Sequence, residues 1–303
     1  MTSNEESIRY TARARAKVNL SLEVLRRRQD GFHEIETIFQ SVNLYDELDI
    51  TLNRSGRAVI TCSDPDIPTD DSNLCSRALD AMRAHAGRDL GAVIRVDKHI
   101  PTCAGLGGGS ADAAAVILAV DQGKALRLSR KALEKAALEC GSDVPFMLHG
   151  GTMLGRGRGE ILTPLTPLRR GVFVIVKPPV DISTAWVYKN ANFQLTRRRY
   201  RFNLKAVNAL LARFPDVSLS FRNVLEDVVC PSHPTVSEVL EELLVSRPYL
   251  ASMSGSGSAV FAIVEDEAKA SQLAERFSVR GFFTAVAEPS ARAIDLYPVE
   301  ARS

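Results

Sequence analysis

The chain has 303 residues, 45% of them hydrophobic and 24% charged, with a formal net charge of +2. That length allows two domains with ample core, and so small a charge gives no reason to expect a nucleic-acid partner. The five cysteines, Cys62, Cys75, Cys103, Cys140 and Cys230, form no C-x-x-C pair, which argues against a zinc site, a redox dithiol or a disulfide scaffold and for a reducing compartment.

Residues Met1 to Ser7 lack the basic and apolar regions of a leader, and no apolar run reaches the length of a membrane span. No membrane partner is therefore expected, and the expected location is cytoplasmic. Residues 10–24 alternate strictly: Tyr10, Ala12, Ala14, Ala16, Val18, Leu20, Leu22 and Val24 on one face, Thr11, Arg13, Arg15, Lys17, Asn19, Ser21 and Glu23 on the other. A period of two predicts a strand, or two strands joined by a bulge, with one buried face. The Arg26-Arg27-Arg28 run that follows reads as a solvated loop, as does Arg197-Arg198-Arg199-Tyr200-Arg201. Gln29-Asp30-Gly31-Phe32-His33 supplies turn chemistry. Strands are expected at 35–44, 48–52, 58–62 and 92–96, and helices at 72–85, 110–120 and 129–140.

Near residue 155 the texture changes. Gly155-Arg156-Gly157-Arg158-Gly159 and the proline-bearing stretch 162–167 look like a connection. Beyond it come a strand at 172–176, helices at 204–214, 220–229 and 236–244, a strand at 259–264, a helix at 268–277 and a strand at 282–287. Strands alternating with helices in this way predict an α+β unit built on an antiparallel sheet.

Between these parts lies Pro101-Thr102-Cys103-Ala104-Gly105-Leu106-Gly107-Gly108-Gly109-Ser110-Ala111, followed by Asp112 and an apolar run to Val120. Four glycines in five positions let a ligand approach the backbone. The helix behind them presents free N–H groups and the positive end of its dipole, so the loop reads as a phosphate cradle. It is not a Walker loop, because no lysine follows the glycines. As a dinucleotide fingerprint it lacks the third glycine and a strand directly before it. Packing alone could also select glycines, with Ser110 as a helix N-cap. Asp112 suits the dipole but would repel phosphate.

Two further motifs narrow the reading. Ala14-Arg15-Ala16-Lys17-Val18-Asn19 lies on the first strand, and Ser252-Met253-Ser254-Gly255-Ser256-Gly257-Ser258 lies late in the chain. In this order around the glycine loop they resemble the three motifs of the GHMP small-molecule kinases. Asp30-Gly31-Phe32-His33, Gly105 to Ser110 and Gly141-Ser142-Asp143-Val144-Pro145-Phe146 resemble one branch of them. That branch phosphorylates the 2-hydroxyl of a cytidyl-diphosphate methylerythritol in non-mevalonate isoprenoid precursor synthesis. The resemblance implies a two-domain α+β fold, with a ribosomal protein S5 domain 2-like N-terminal domain over 1–158 and a ferredoxin-like C-terminal domain over 159–303. Between them would lie ATP, brought with Mg²⁺, and the small-molecule cytidyl diphosphate substrate.

By the same resemblance, Lys17 and Asp143 are the catalytic pair. Asp143 would take the hydroxyl proton, and Lys17 would orient it and stabilise charge. Residues Pro101 to Ala111, with Asn73 and Lys98, would bind the nucleotide. Asn19, Phe32, His33 and Tyr188, with Ser254, Gly255, Ser256 and Gly257, would face the acceptor: Phe32 and His33 in the turn and Tyr188 as the opposite stacking face would sandwich its base, with His33 and backbone groups choosing it. Phe32 stands where the family usually has tyrosine, and it lacks that hydroxyl. Without the motifs, Lys17 could be a solvated strand lysine and Asp143 a helix cap. Oligomeric state is expected to be a monomer or weak dimer. Two readings stay open beside this one: another GHMP kinase, for homoserine, mevalonate or a sugar, and a catalytically silent nucleotide-binding protein.

Overall fold

The computed structural model describes residues 8–191 and 202–300. The Arg197–Arg201 run lies outside the described residues. The alternating segment forms β1 (Ile8–Arg27), which pairs antiparallel with β2 (His33–Asn53). The register slips between Arg15 and Lys17, Asn19 and Ser21, and Val24 and Arg26. Such bulges bend a long hairpin and raise its twist. The apolar face from Ala12 to Val24 is buried as its period requires. Lys17, Asn19 and Ser21 on the opposite face are buried too, because that face of β1 is covered by other parts of the chain rather than by water.

Strand β3 (Ala58–Cys62), α1 (Leu74–Ala86) and β4 (Gly91–Asp97) form a crossover unit, with β3 and β4 parallel. Helices α2 (Gly108–Gly123), α3 (Arg130–Cys140) and α4 (Val144–His149) follow. Helix α2 buries nine residues, Ala111 to Ile117 with Ala119 and Val120, as a helix apolar on most sides must. The stretch expected as a connection folds instead into β5 (Thr152–Gly157) and β6 (Ile161–Pro164), with β5 paired to β2. Its glycines hide the strand from a composition-based reading. At Gly155 a Cβ would come within 2.6 Å of the Phe39 ring, so the aromatic side chain takes the space.

The second sheet holds β7 (Val172–Lys177), β8 (Leu250–Met253), β9 (Val260–Val264) and β10 (Phe283–Ala287). Helices α5 (Thr184–Asn190), α6 (Leu204–Ala212), α7 (Glu226–Ser232) and α8 (Pro234–Val245) separate β7 from β8, and α9 (Glu267–Ser278) separates β9 from β10. All pairings are antiparallel in the order β10-β7-β9-β8, which is the ferredoxin-like arrangement. The expected helix at 220–229 begins only at Glu226. Before it the chain runs beside β1, where Leu22 and Asn223 form a bridge.

The expected division after residue 158 differs from the sheet pairing. The first sheet includes β6, and it takes back β11 (Pro289–Ser290) on β2 and β12 (Ile294–Val299) on β1. Strand pairing follows free hydrogen-bonding edges, not chain order, so a single cut cannot separate the sheets. The two also share a core: Val18, Leu20, Ile38 and Val42 of the hairpin cluster with Phe173, Ile175, Phe261 and Ile263 of the second sheet. Phe261→Ala should therefore cost about 3–5 kcal/mol and lower one unfolding transition in urea for the whole chain. Two separate transitions, only one of them shifted, would contradict a shared core.

Candidate active site

The N-terminal end of α2 is built to leave donors free. The helix begins at Gly108, two residues earlier than expected, with Gly107 as N-cap at φ 72° and ψ 23°. No side chain caps it, so Ser110 is not the cap and the first N–H groups have no intrahelical partner. Gly107 must also be small: a Cβ would lie 2.6 Å from Met147 Cε and 3.2 Å from Lys17 Cγ. At Gly105 a Cβ would fall 2.1 Å from the carbonyl oxygen of Ser254. The two glycine-bearing loops thus meet backbone to backbone.

Hydrogen bonds stitch that meeting together. Ser254 Oγ donates to the Gly105 carbonyl at 2.9 Å, and the Ala259 and Ser258 N–H groups donate to the carbonyls of Ala104 and Cys103. Lys17 N–H donates to the Leu106 carbonyl at 2.9 Å. Asn223, fully buried, donates through Nδ2 to the carbonyls of Met253 (2.8 Å) and Gly255 (2.7 Å). Sequence reading missed Asn223, because a single asparagine inside an expected helix gives no signal of its own.

Lys17 stands where the loops meet. Its Nζ donates to Asn19 Oδ1 at 2.7 Å and lies 3.5 Å from Asp143 Oδ2. Asn19 Nδ2 donates to Thr37 Oγ1, which donates to the Ser21 carbonyl, both at 2.7 Å. This relay fixes which way the Asn19 amide faces and so aims the ammonium. Asp143 occupies the N-cap position of α4 but makes no side-chain capping bond. Its carboxylate is left to Lys17 and to the open space beside it, with side-chain exposures of 4% for Lys17 and 32% for Asp143.

That space is a cavity of about 880 Å³. Among the residues expected to act, Lys17, Asn19, Phe32, His33, Gly105, Gly107, Ser110, Asp143, Tyr188, Gly255 and Ser256 line it. Thr184 Oγ1 and Ser256 Oγ are hydrogen-bonded at 2.8 Å, joining α5 to the late glycine loop. Pro101, Thr102, Cys103, Ala104, Leu106, Gly108, Gly109, Ala111, Ser254 and Gly257 do not line it. Several of these shape the loops instead: at Gly257, for example, a Cβ would meet Met253 Sδ at 2.7 Å.

Two residues expected to bind the nucleotide have partners of their own in the fold. Asn73 caps α1: Oδ1 accepts from Cys75 N–H at 2.8 Å and Nδ2 donates to the Pro68 carbonyl at 2.7 Å. Its amide is committed to the fold. Lys98 does not face the cavity but is buried in ion pairs with Asp46 and Asp112. A lysine near a phosphate loop cannot be told from sequence to have buried carboxylates of its own.

His33 and Tyr188, both lining the cavity, stack on each other, with centroids 5.0 Å apart and planes at 16°. The stacking face expected of Tyr188 is therefore already covered by His33, because rings at that distance are in contact. Burial, helped by the charge of Arg27, lowers the His33 pKa and leaves the ring neutral at pH 7. Burial likewise raises the pKa of Tyr188, with Asp143 adding to it. Phe32 is 50% exposed, with the Arg158 guanidinium 4.4 Å from its ring centre.

Arg27, Arg158 and Lys189 also line the cavity, as does Ser142. The arginine run was read as a solvated loop, and in part it is. Arg26 pairs with Glu34 and Arg28 with Asp30, but Arg27 turns to the cavity. The strand's alternation separates them: neighbours on a strand project to opposite faces.

Comparison with known proteins agrees with this geometry. The family described as GHMP kinases N terminal domain matches residues 73–151, and GHMP kinases C terminal matches residues 201–281. A 4-diphosphocytidyl-2-C-methyl-D-erythritol kinase of Geobacter sulfurreducens is 39% identical over 277 residues, covering 91% of this chain and 98% of that protein. One from Pelotomaculum thermopropionicum is 40% identical over 267 residues, covering 88% and 93%. A crystal structure of 4-(cytidine 5'-diphospho)-2C-methyl-D-erythritol kinase superposes with a TM-score of 0.77 at 32% identity, covering 92% of this chain and all of that one (100%). A homoserine kinase from Cytophaga hutchinsonii, at 22% identity and TM-score 0.72 over 98% of this chain and 99% of its own, shares the fold. The chain belongs to the GHMP kinases, within the family of 4-diphosphocytidyl-2-C-methyl-D-erythritol kinases.

Proposed function

We propose that this chain transfers the γ-phosphoryl group of ATP to the 2-hydroxyl of 4-diphosphocytidyl-2-C-methyl-D-erythritol, a step of non-mevalonate isoprenoid precursor synthesis. The observation that carries the reading is one cavity with three kinds of wall. An uncapped helix N-terminus, aromatic rings with cations, and the Lys17–Asp143 pair all contribute to it.

Phosphoryl transfer asks a protein mainly for positioning and for charge where charge develops. The free N–H groups at the start of α2 suit phosphate oxygens. Asp143, open on one side, accepts the proton of the acceptor hydroxyl as its oxygen attacks. Lys17, held by Asn19, faces the forming phosphate ester and keeps Asp143 aimed. The small Gly255 leaves the ammonium reachable: a Cβ there would lie 3.3 Å from Lys17 Nζ.

The neutral His33 ring can both donate and accept, which suits the edge of an uncharged base. Because His33 and Tyr188 already touch, a base enters by parting them or by stacking beside them on Phe32. Arg27, Arg158 and Lys189 supply positive charge toward an acceptor that carries a diphosphate.

Mg²⁺ fits as a companion of the nucleotide. Among the described residues no cluster of three His, Cys, Asp or Glu side chains could cage an ion, which suits a cation held chiefly by phosphates and water. Ser110, on the cavity wall, could add its hydroxyl. The ion would neutralise charge on the phosphates.

A coupled ADP-release assay tests the function. Turnover is expected with the cytidyl acceptor and not with mevalonate or homoserine, and the opposite preference would overturn the assignment. Asp143→Asn and Lys17→Ala should each lower kcat by at least about 10²-fold, the scale of acid–base and electrostatic groups. A smaller loss would leave that residue a structural part only. Tyr188→Ala should raise the KM for the acceptor by roughly tenfold, in line with aromatic contacts worth about 1–3 kcal/mol per base. The KM for ATP should stay within a factor of about two, since Tyr188 stacks with His33 rather than with the glycine loop.

A further inference from the structure

Beneath the glycine loop lies a cluster of charges that this chemistry leaves unused. Lys98 Nζ donates to Asp46 Oδ2 and, at 3.0 Å, to Asp112 Oδ2. The other oxygen of Asp46 accepts the backbone N–H groups of His99 at 2.7 Å and Ile100 at 2.8 Å. The side chains are 6%, 0% and 7% exposed for Lys98, Asp46 and Asp112. They come from three separate stretches: Asp46 from β2, Lys98 from just past β4, and Asp112 from α2 near its start.

The cluster touches the loop from below. A Cβ at Gly108 would lie 3.0 Å from Lys98 Nζ and 3.1 Å from Ile100 Cβ, so the ammonium seats directly under the first residue of α2. Asp46 holds the chain that leads into the loop, and Asp112 holds the helix that leaves it. Asp112 Oδ1 is buried with no hydrogen-bond partner among the described residues. An unsatisfied buried acceptor is costly, so the arrangement is not the cheapest way to fill that space.

Its charge balance also bears on phosphate. Burial alone would lower the pKa of Lys98, but Asp112 and Asp46 outweigh that and hold it up, so the ammonium stays charged. Burial raises the pKa of Asp112, Lys98 opposes this and Asp46 adds to it. Without Lys98, Asp46 would lose its ammonium partner beside a helix N-terminus meant for an anion, and the Asp112 pKa would be driven further up.

We propose that Lys98, Asp46 and Asp112 are positioning residues for the nucleotide: the cluster ties β2 and the end of β4 to α2, sets the seat of the glycine loop, and keeps carboxylate charge from repelling the phosphates. This rests on the reading of the α2 N-terminus as the ATP phosphate site.

Steady-state kinetics on the full chain test it. Lys98→Met should raise the KM for ATP by roughly tenfold or more, within the range of coupling in buried charge networks. The acceptor KM should stay within about twofold. Adding Asp46→Asn to Lys98→Met removes the uncompensated charge and should recover part of the ATP affinity, an effect that a purely structural loss would not show. Should Lys98→Met not fold, the near-isosteric Asp112→Asn alone should raise the ATP KM by several-fold and speed amide exchange at 107–111, with exchange in β2 unchanged. Variants that only lower Tm, with ATP KM and loop exchange as in the unsubstituted chain, would overturn the proposal. If the unsubstituted chain turns over no ATP with any acceptor, the nucleotide reading itself fails, and the positioning role fails with it.

Discussion

The site depends on two loops approaching without side chains between them. Gly105 and Ser254 belong to stretches 149 residues apart, and Ser254 Oγ bonds the Gly105 carbonyl directly. Any Cβ at Gly105 would sit far inside van der Waals contact with the Ser254 carbonyl oxygen. Close approach of this kind closes a roof over β1, and under that roof Lys17 becomes a buried lysine. A buried ammonium must be paired, and its partners here are Asn19 and Asp143. Glycine at one position thus has consequences for charge at another.

The same constraint explains why the two sheets cannot be treated as independent bodies. The hairpin of β1 and β2 packs its apolar face both under α2 and against the second sheet, while its bulges let one long ribbon serve both. Strand β12 returns to β1 at the end of the chain. Arg15 sits at that junction, bonded to Asp295 at 2.6 Å and to Asn43 at 3.0 Å. The cavity lies where the hairpin, the two glycine loops and α5 come together. Its walls inherit their rigidity from a shared core and from Asn223, which pins the late glycine loop.

Charge in this molecule is arranged in layers. Lys98 is spent inside, on Asp46 and Asp112, whereas Lys17 is only partly spent and keeps an open side. Arg27, Arg158 and Lys189 remain at the cavity wall. Lysines 17 and 98 flank the same glycine loop, yet one faces the chemistry and the other supports the backbone. The difference lies in the carboxylates each one meets.

Much of this was legible in the residues themselves. The period of two in 10–24 determined β1, the glycine run followed by an apolar stretch determined an open helix start, and the order of the motifs around Lys17, Gly105 and Ser254 determined the family. What only the tertiary structure decided depends on long-range partners. The glycine-rich stretch 155–164 became a hairpin because Phe39 fills the space its side chains would have taken. Asn73 became a cap and Lys98 a buried support because of the groups that folding placed beside them. Arg27, unlike Arg26 and Arg28, reached the cavity, and His33 met Tyr188 face to face. Local pattern sets which way a side chain points, but the group it meets there comes from a part of the chain that pattern does not reach.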